Sequence, residues 1–400
     1  MRLSRGALRS LLLSLLGLGL AGYLYYLHLG LLRGEFLGGA ACGSGPFNCH
    51  AVTAGSWGAF AGIPLALWGV LGYLAVLALA LLAFQSADMA VPALTGIALL
   101  ATLFVAADLV LFSVMVFVIR YYCLFCLLTY LVNLSLLVVS VRALERPWWP
   151  AVLGQSGTAL AAFMPSPARP ATGLFWGLLL VSAAGIAGLH ATTTYLAQGP
   201  IGNLRQQLRE FVTKQPRASV EVSGSPVQGR PDAPIQVVEF SDFFCPACQK
   251  ASKFNTIILA NHRQDAAFVF KLFPLDMACN TTIQHAVHPG ACAVAAAAAC
   301  VHQQGKFWAF HDLVFEQGHD YKMAGLEADV ARLGADVPRF QACMASGQGM
   351  ERVKRDVAEG GRLGVNSTPT YVVNGVRFTG GFSPSVFDEI VAVLREQSGQ

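Results

Sequence analysis

Five long apolar stretches constrain this chain more than any other feature: Leu8 to Leu31, Ile63 to Phe84, Pro92 to Ile119, Tyr122 to Val141 and Gly173 to Leu196. A helix of about 20 such residues crosses the hydrocarbon layer of a bilayer, and it satisfies its own backbone groups there. Each stretch is therefore read as a span. The first follows Arg2, Arg5 and Arg9, but it is too long for a cleaved signal and lacks a small-x-small site, so it reads as a retained helix. Residues 1 to 196 hold four acids, Glu35, Asp88, Asp108 and Glu145, and nearly all other charge lies after residue 200. A membrane half followed by a water-soluble half accounts for a 400-residue chain with 12% charged residues and a mean hydropathy of +0.53. The net charge of +4, with no basic stripe, argues against a nucleic-acid partner.

Arg2, Arg5 and Arg9 precede the first span, and Arg142, Arg146 and Arg169 lie between the fourth and fifth. The positive-inside bias makes both segments cytoplasmic. The loop after the first span, the bend before the fourth and the soluble half are then all outside. Asp108 falls near the middle of the third span, where an acid is costly; a proton path and a helix–helix hydrogen bond both fit it.

Ten cysteines suit an oxidising compartment. Cys42 and Cys49 bracket a Gly/Pro loop with no helical period, which reads as mobile. Cys123-Leu124-Phe125-Cys126 opens the fourth span, where a helix N-terminus favours the thiolate. A structural staple, or zinc held with Cys42, Cys49 and His50, is an open alternative for these thiols. In the soluble half, the strand Ile235 to Phe240 leads into Cys245-Pro246-Ala247-Cys248 and a helix to about Ala260, a redox arrangement. A strand from Phe268 to Phe273, a helical stretch from about His285 to Leu363, a hairpin at Thr370 to Phe378 and a helix capped by Ser383 follow. Cys292 and Cys300 stand about 12 Å apart along a helix, beyond disulfide reach. The preferred pairings are Cys279–Cys292, across His288-Pro289-Gly290, and Cys300–Cys343. His285 and His288 read as turn or surface residues, and no metal is assigned.

Cys42, Cys49, Ser56-Trp57, Phe60-Ala61-Gly62-Ile63-Pro64-Leu65 and Tyr122-Cys123-Leu124-Phe125-Cys126 together resemble the vitamin K epoxide reductase family in its bacterial form, over roughly residues 8 to 145. The resemblance implies a four-helix bundle enclosing a quinone, ubiquinone or menaquinone, with Cys126 passing electrons to it. It further implies that Cys123 exchanges with Cys49, and Cys42 with a thioredoxin-like partner. The family often has Ser or Thr near the quinone where this chain has Gly55, so the neighbouring Ser56 is the quinone-contact candidate. Glu239-Phe240-Ser241-Asp242-Phe243, the Cys245 motif and Gly364-Val365-Asn366-Ser367-Thr368-Pro369-Thr370 resemble the DsbA-type branch of the thioredoxin superfamily, over roughly 233 to 397. That resemblance implies a cis Pro369 facing the cysteine pair, with Thr368 before it, both substrate-binding. It leaves Glu239 as either a proton-transfer acid or an ordinary edge-strand acid.

The expected architecture is a membrane all-α region, a four-helix bundle plus a fifth transmembrane helix, followed by a soluble α/β thioredoxin-fold domain with a helical insertion. The divisions are a quinone-reducing domain at 1–145, a cytoplasmic linker at 146–172, a fifth transmembrane helix at 173–196, an extracytoplasmic tether at 197–232 and a DsbA-like domain at 233–400. The expected function is disulfide formation in exported proteins at a bacterial inner membrane. Electrons would pass from Cys245/Cys248 to Cys42/Cys49, then to Cys123/Cys126 and the quinone pool. Spacing alone also admits a reductase or isomerase running the same relay, a metal-handling protein using the pairs as ligands, and a membrane anchor with inert disulfides.

Overall fold

The computed structural model describes residues 2–42, 46–144, 170–198, 204–285 and 287–398. Two compact units result, Met1–Pro200 and Ile201–Gln400. In the first, α1 (Arg2–Leu32), α2 (Leu65–Gln85), α3 (Ala87–Val114), α4 (Leu124–Ala143) and α5 (Pro170–Gln198) carry the apolar stretches. All five are long and apolar enough to cross a membrane. Helix α1 packs on α2 and α4, and α3 packs on the same two, which closes a four-helix bundle; α5 lies outside, against α1 and α2. Small residues permit the close approach: a Cβ on Gly17 would overlap the ring of Tyr73. Two polar contacts hold the outer helix, Tyr25 to Thr193 at 2.9 Å and His190 to the Gly62 carbonyl at 3.3 Å.

A π-helical turn, Met115–Ile119, continues α3. Arg120 ends it in the left-handed conformation, φ 60°, its N–H donating to the Met115 carbonyl. The turn back toward α4 therefore sits at Arg120. Of the linker expected at 146–172, residues 146–169 lie outside the described residues, and the last three belong to α5.

The second unit is a sheet-containing thioredoxin-like domain. In chain order it comprises α6 (Leu204–Lys214), β1 (Val227–Gly229), β2 (Ile235–Ser241), α7 (Pro246–Asn261), β3 (Ala266–Leu272), α8 (Ala291–His302), α9 (Phe307–Gln317), α10 (Leu326–Arg332), α11 (Val337–Ala345), α12 (Gln348–Arg362), β4 (Thr370–Val373), β5 (Val376–Thr379) and α13 (Pro384–Ser398). The sheet order is β1-β3-β2-β4-β5; only the β2–β3 pair is parallel. The alternating β2 residues Val238 and Phe240 pack into the core with Phe270, Leu272 and the alanine-rich α8.

One expectation needs correction. The stretch read as a free tether contributes structure to the domain: Val227–Gly229 pairs with β3, and α6 packs on α13. Burial of Val212 and a Phe211–Phe378 ring contact at 5.3 Å anchor α6. Its exposed pairs Arg205–Glu389 and Arg209–Glu396 add little by comparison. The Pro/Gly-rich composition hid the strand because three residues at a sheet edge have no detectable period. The helical stretch expected from about His285 to Leu363 comprises five α-helices among the described residues, separated at positions such as Gly318 and Gly347, whose φ of 59° and 76° no continuing helix can adopt.

Candidate functional site

In the membrane unit, Cys42 is bonded to Cys49 and Cys123 to Cys126. Cys42, Cys49 and Cys123 are fully buried in one apolar cluster with Leu24, Leu27 and Met115. Local sequence explains the arrangement. Asn48 accepts from the Ala51 N–H at 3.0 Å and so caps the short helix Cys49–Thr53. Cys123 is the N-cap of α4, its sulfur accepting from the Cys126 N–H at 3.2 Å. The Cys49 segment is laced to the residue before Cys123 by two backbone bonds at 2.9 Å, Asn48 N–H to Tyr122 carbonyl and Tyr122 N–H to Pro46 carbonyl. The loop read as swinging is thus docked on its Cys49 side, with both disulfides in one cluster.

Cys126 also lines a cavity of about 220 Å³. Leu24, Trp57, Tyr130 and Phe104 give it apolar and aromatic walls, and no Lys or Arg is among its described lining residues. Polar atoms enter at two places. The His28 Nδ1 is buried with no hydrogen-bond partner among the described residues. On the opposite side chains, Asn133 donates to Asp108 at 2.9 Å and its carbonyl oxygen accepts from Tyr73 at 2.8 Å. The helix–helix bond foreseen for Asp108 is present, and it sits in the cavity wall. The volume is below the roughly 300 Å³ at which pockets hold a whole drug-sized ligand, so it suits a single ring head. An apolar ring with hydrogen-bonding oxygens, presented to a sulfur, fits this lining. Ser56 lies in the turn Ser56–Gly58 beside the lining residue Trp57, but its side chain is outside the described residues.

In the soluble unit, β2 ends at Ser241 and the chain turns through Asp242 into Cys245, the N-cap of α7 with Pro246 next. Cys245 and Cys248 are free thiols, 6% and 0% exposed. The Thr368–Pro369 bond is cis, and the Thr368 carbonyl stands 3.4 Å from the Cys245 sulfur. A hydrogen bond from the Cys248 thiol holds Cys245 down to about 6 against the effect of burial, helped by the N–H groups of Cys248 and Ala247. Burial and the adjacent Cys245 push Cys248 up. One sulfur is therefore favoured as thiolate and the other as thiol.

Glu239 is buried on β2, a central strand, so it is not an edge acid. Asn255 donates to it at 2.7 Å and accepts from Tyr371 at 3.1 Å, while its other oxygen has no partner among the described residues. Burial pushes its carboxyl up to about 7, against the hydrogen bond from Asn255. Asn255 and Tyr371 had no sequence signal, since each reads as an ordinary helix or strand residue. Cys279 is bonded to Cys292 and Cys300 to Cys343, with Cα separations of 5.9 and 5.8 Å.

Residues 8–141 match the vitamin K epoxide reductase family, and residues 221–392 match a thioredoxin family. The chain joins a vitamin K epoxide reductase family domain to a thioredoxin-like domain. The boundary of the second match includes β1, in agreement with its place in the sheet. Among solved structures, a thioredoxin-like oxidoreductase from Silicibacter pomeroyi DSS-3 is 25% identical, covering 44% of this chain and 94% of that one, with a TM-score of 0.38. BdbD from Bacillus subtilis, in oxidised form, is 22% identical over 46% of this chain and 98% of that one, TM-score 0.38. Among curated relatives, Na(+)/H(+) antiporter NhaA 3 of Salinispora tropica is 33% identical over 180 residues, 44% of this chain and 26% of that protein. Na(+)/H(+) antiporter NhaA 1 of Mycolicibacterium vanbaalenii is 31% identical over 163 residues, 40% of this chain and 25% of that protein. The chain thus spans only 26% and 25% of the length of these two relatives.

Proposed function

We propose that this chain is a membrane thiol-disulfide oxidoreductase that forms disulfides in exported proteins and delivers the electrons to a quinone. The observation that carries this reading is the shared cluster of Cys42, Cys49 and Cys123, with Cys126 opening from it onto the cavity. A relay by thiol-disulfide exchange requires neighbouring pairs to come into attack range, and two pairs already share one packed site.

In this reading a substrate thiolate attacks the Cys245–Cys248 disulfide at Cys245, and Cys248 leaves and takes a proton. A second substrate thiolate then displaces Cys245, so the substrate leaves oxidised. Glu239, near neutrality, accepts the Cys248 proton when the pair is oxidised again. Thr368 and Pro369 present backbone to the bound peptide. The reduced pair is reoxidised through Cys42, Cys49 exchanges with Cys123, and Cys126 faces the acceptor. A quinone held in the cavity would supply the two-electron, two-proton sink that this relay needs. His28, Tyr130 and Asn133 would hold its ring, and Asp108 stands ready to take or give a proton. The arginines before α1 and around residues 142–169 favour a cytoplasmic N-terminus and thiol pairs on the opposite face of a bacterial cytoplasmic membrane.

The test is anaerobic reduction of a soluble quinone by the detergent-solubilised full chain, with a reduced dithiol peptide as donor. The wild type should reduce it, and Cys126→Ala and Cys245→Ala should not. An untouched quinone, together with stoichiometric bound metal, would replace the relay by a ligand role for the thiol pairs.

A further inference from the structure

His288 lies on the loop between β3 and α8 that the Cys279–Cys292 disulfide closes. Its position is fixed several times over. Its backbone N–H donates to the Leu275 carbonyl at 2.9 Å, and its carbonyl accepts from Ala291 at 3.1 Å. Its Nδ1 meets the Asp242 carboxylate at 2.7 Å, and the side chain is only 12% exposed. Asp242 is itself fully buried and anchored, accepting the N–H of Phe244 at 2.8 Å and of Leu275 at 2.7 Å. The Asp242 carbonyl accepts the Cys245 N–H at 3.1 Å. A Cβ added to Gly290 would lie 3.6 Å from the Phe244 ring, so the His288-Pro289-Gly290 turn abuts the residue before the nucleophile.

The charged and titratable groups around this imidazole are Asp242, which it touches; Cys245, which interacts with it electrostatically; Asp276, which accepts the Gly290 N–H at 2.8 Å; and His319, whose ring rests on Phe244. A buried carboxylate three residues before Cys245 would, alone, oppose a thiolate there. A cation bonded to that carboxylate cancels the effect and adds its own attraction.

We propose that protonated His288 is the charge that lets Cys245 exist as a thiolate and leave as one, acting through Asp242 and across the turn. The proposal rests on the reading of Cys245 as the exchanging sulfur. The hydrogen bond to Asp242, against burial, raises the His288 basicity and supports the protonated form. The reaction balances without another reactant. A substrate dithiol gives two electrons to the Cys245–Cys248 bond as its own disulfide forms; one proton goes to Cys248, the other to water, and Cys245 remains anionic. Favouring that anion favours the reduced pair, which makes the domain a stronger acceptor of electrons.

The test uses the full chain in detergent with the Cys245/Cys248 pair reduced by a glutathione buffer. Iodoacetamide alkylation of Cys245 is followed against pH by peptide mass spectrometry in wild type, His288→Gln and His288→Lys. Gln keeps a hydrogen bond to Asp242 and loses the charge, whereas Lys keeps a charge. The expected result is a rate at pH 6 lower by about fivefold in His288→Gln, with the midpoint moved to higher pH, and recovery in His288→Lys. A wild-type profile in His288→Gln overturns the proposal. Equal losses in both variants also overturn it, because packing of the ring would then explain them. If wild-type Cys245 is alkylated no faster than Cys248, the nucleophile assignment itself fails.

Discussion

The two halves manage sulfur by opposite means. In the membrane unit the four cysteines are bonded, and three of them are sealed in a cluster whose other members are Leu24, Leu27 and Met115. No described charged side chain belongs to that cluster, so reactivity there is governed by access and proximity. In the soluble unit the free pair sits among a helix N-terminus, Asp242, His288 and Glu239, and charge decides which sulfur is ionised. A low dielectric makes bare charge costly in the first setting, whereas a buried polar network can hold it in the second. The difference predicts that membrane-half variants respond mainly to what reaches the sulfur, and soluble-half variants to pH.

The sharpest way to break the comparison is to remove one sulfur from each half. Cys126→Ser should abolish quinone reduction with every donor, because no other cysteine among the cavity's described lining residues faces the acceptor. Cys245→Ser should abolish it with protein donors, yet a small dithiol at high concentration should recover part of the rate by reaching Cys42 directly. Equal loss with both donors would mean that the soluble domain is needed for more than delivery.

Asp108→Leu comes next. Single-turnover oxidation of the Cys123/Cys126 dithiol by quinone should slow by about a hundredfold, the usual scale for removing a positioned proton donor or acceptor. Reduction of Cys42–Cys49 by a small dithiol should be affected far less. Asp108→Asn separates the two roles foreseen for this residue. It retains a partner for Asn133, so wild-type quinone kinetics in that variant would assign Asp108 to helix packing alone.

Glu239→Gln probes the soluble half. The Glu239 carboxyl is raised in the folded state to about 7, from 4.5. The folded dithiol form therefore binds a proton that the unfolded chain has lost between those values, and its stability falls as pH rises through that window. The cost above pH 7 is on the order of 3 kcal/mol. Glu239→Gln removes it, so the reduced protein should melt several degrees higher at pH 8 and show little gain at pH 4, read by calorimetry. Its thiol exchange should be slower, since the acceptor for the Cys248 proton is gone. Identical pH–stability curves would place the titration elsewhere.

These residues also mark how far the sequence could be read. The five spans were legible because a bilayer imposes one length and one composition on any helix that crosses it. The strand leading into Cys245 was legible because strand period and helix N-terminus meet at a single motif. Nothing in the sequence placed Asn133 against Asp108 or Asn255 against Glu239, since such pairs are made by helix rotation and sheet register. The same holds for His288, which sits in the turn expected of it but meets a partner 46 residues upstream. The docking of the Pro46–Asn48 segment was not legible for a related reason: its backbone bonds are made with Tyr122, on another element.

That docking yields the smallest predicted effect. Cys42 is fully buried, so an incoming thiolate can reach it only after local opening of the Cys42–Cys49 segment. The Asn48 cap stabilises the closed form through its bond to Ala51. Asn48→Ala should cost about 1 kcal/mol of local stability, the typical value of an N-cap. If opening precedes attack, reduction of Cys42–Cys49 by a small soluble dithiol should accelerate by about fivefold, with little change in global melting temperature. The measurement is the rate at which Cys42 becomes alkylatable after dithiol addition. An unchanged rate would show that the dithiol reaches the sulfur without loss of the capped helix. The contrast between access in the membrane half and charge in the soluble half would then need another explanation for the burial of Cys42.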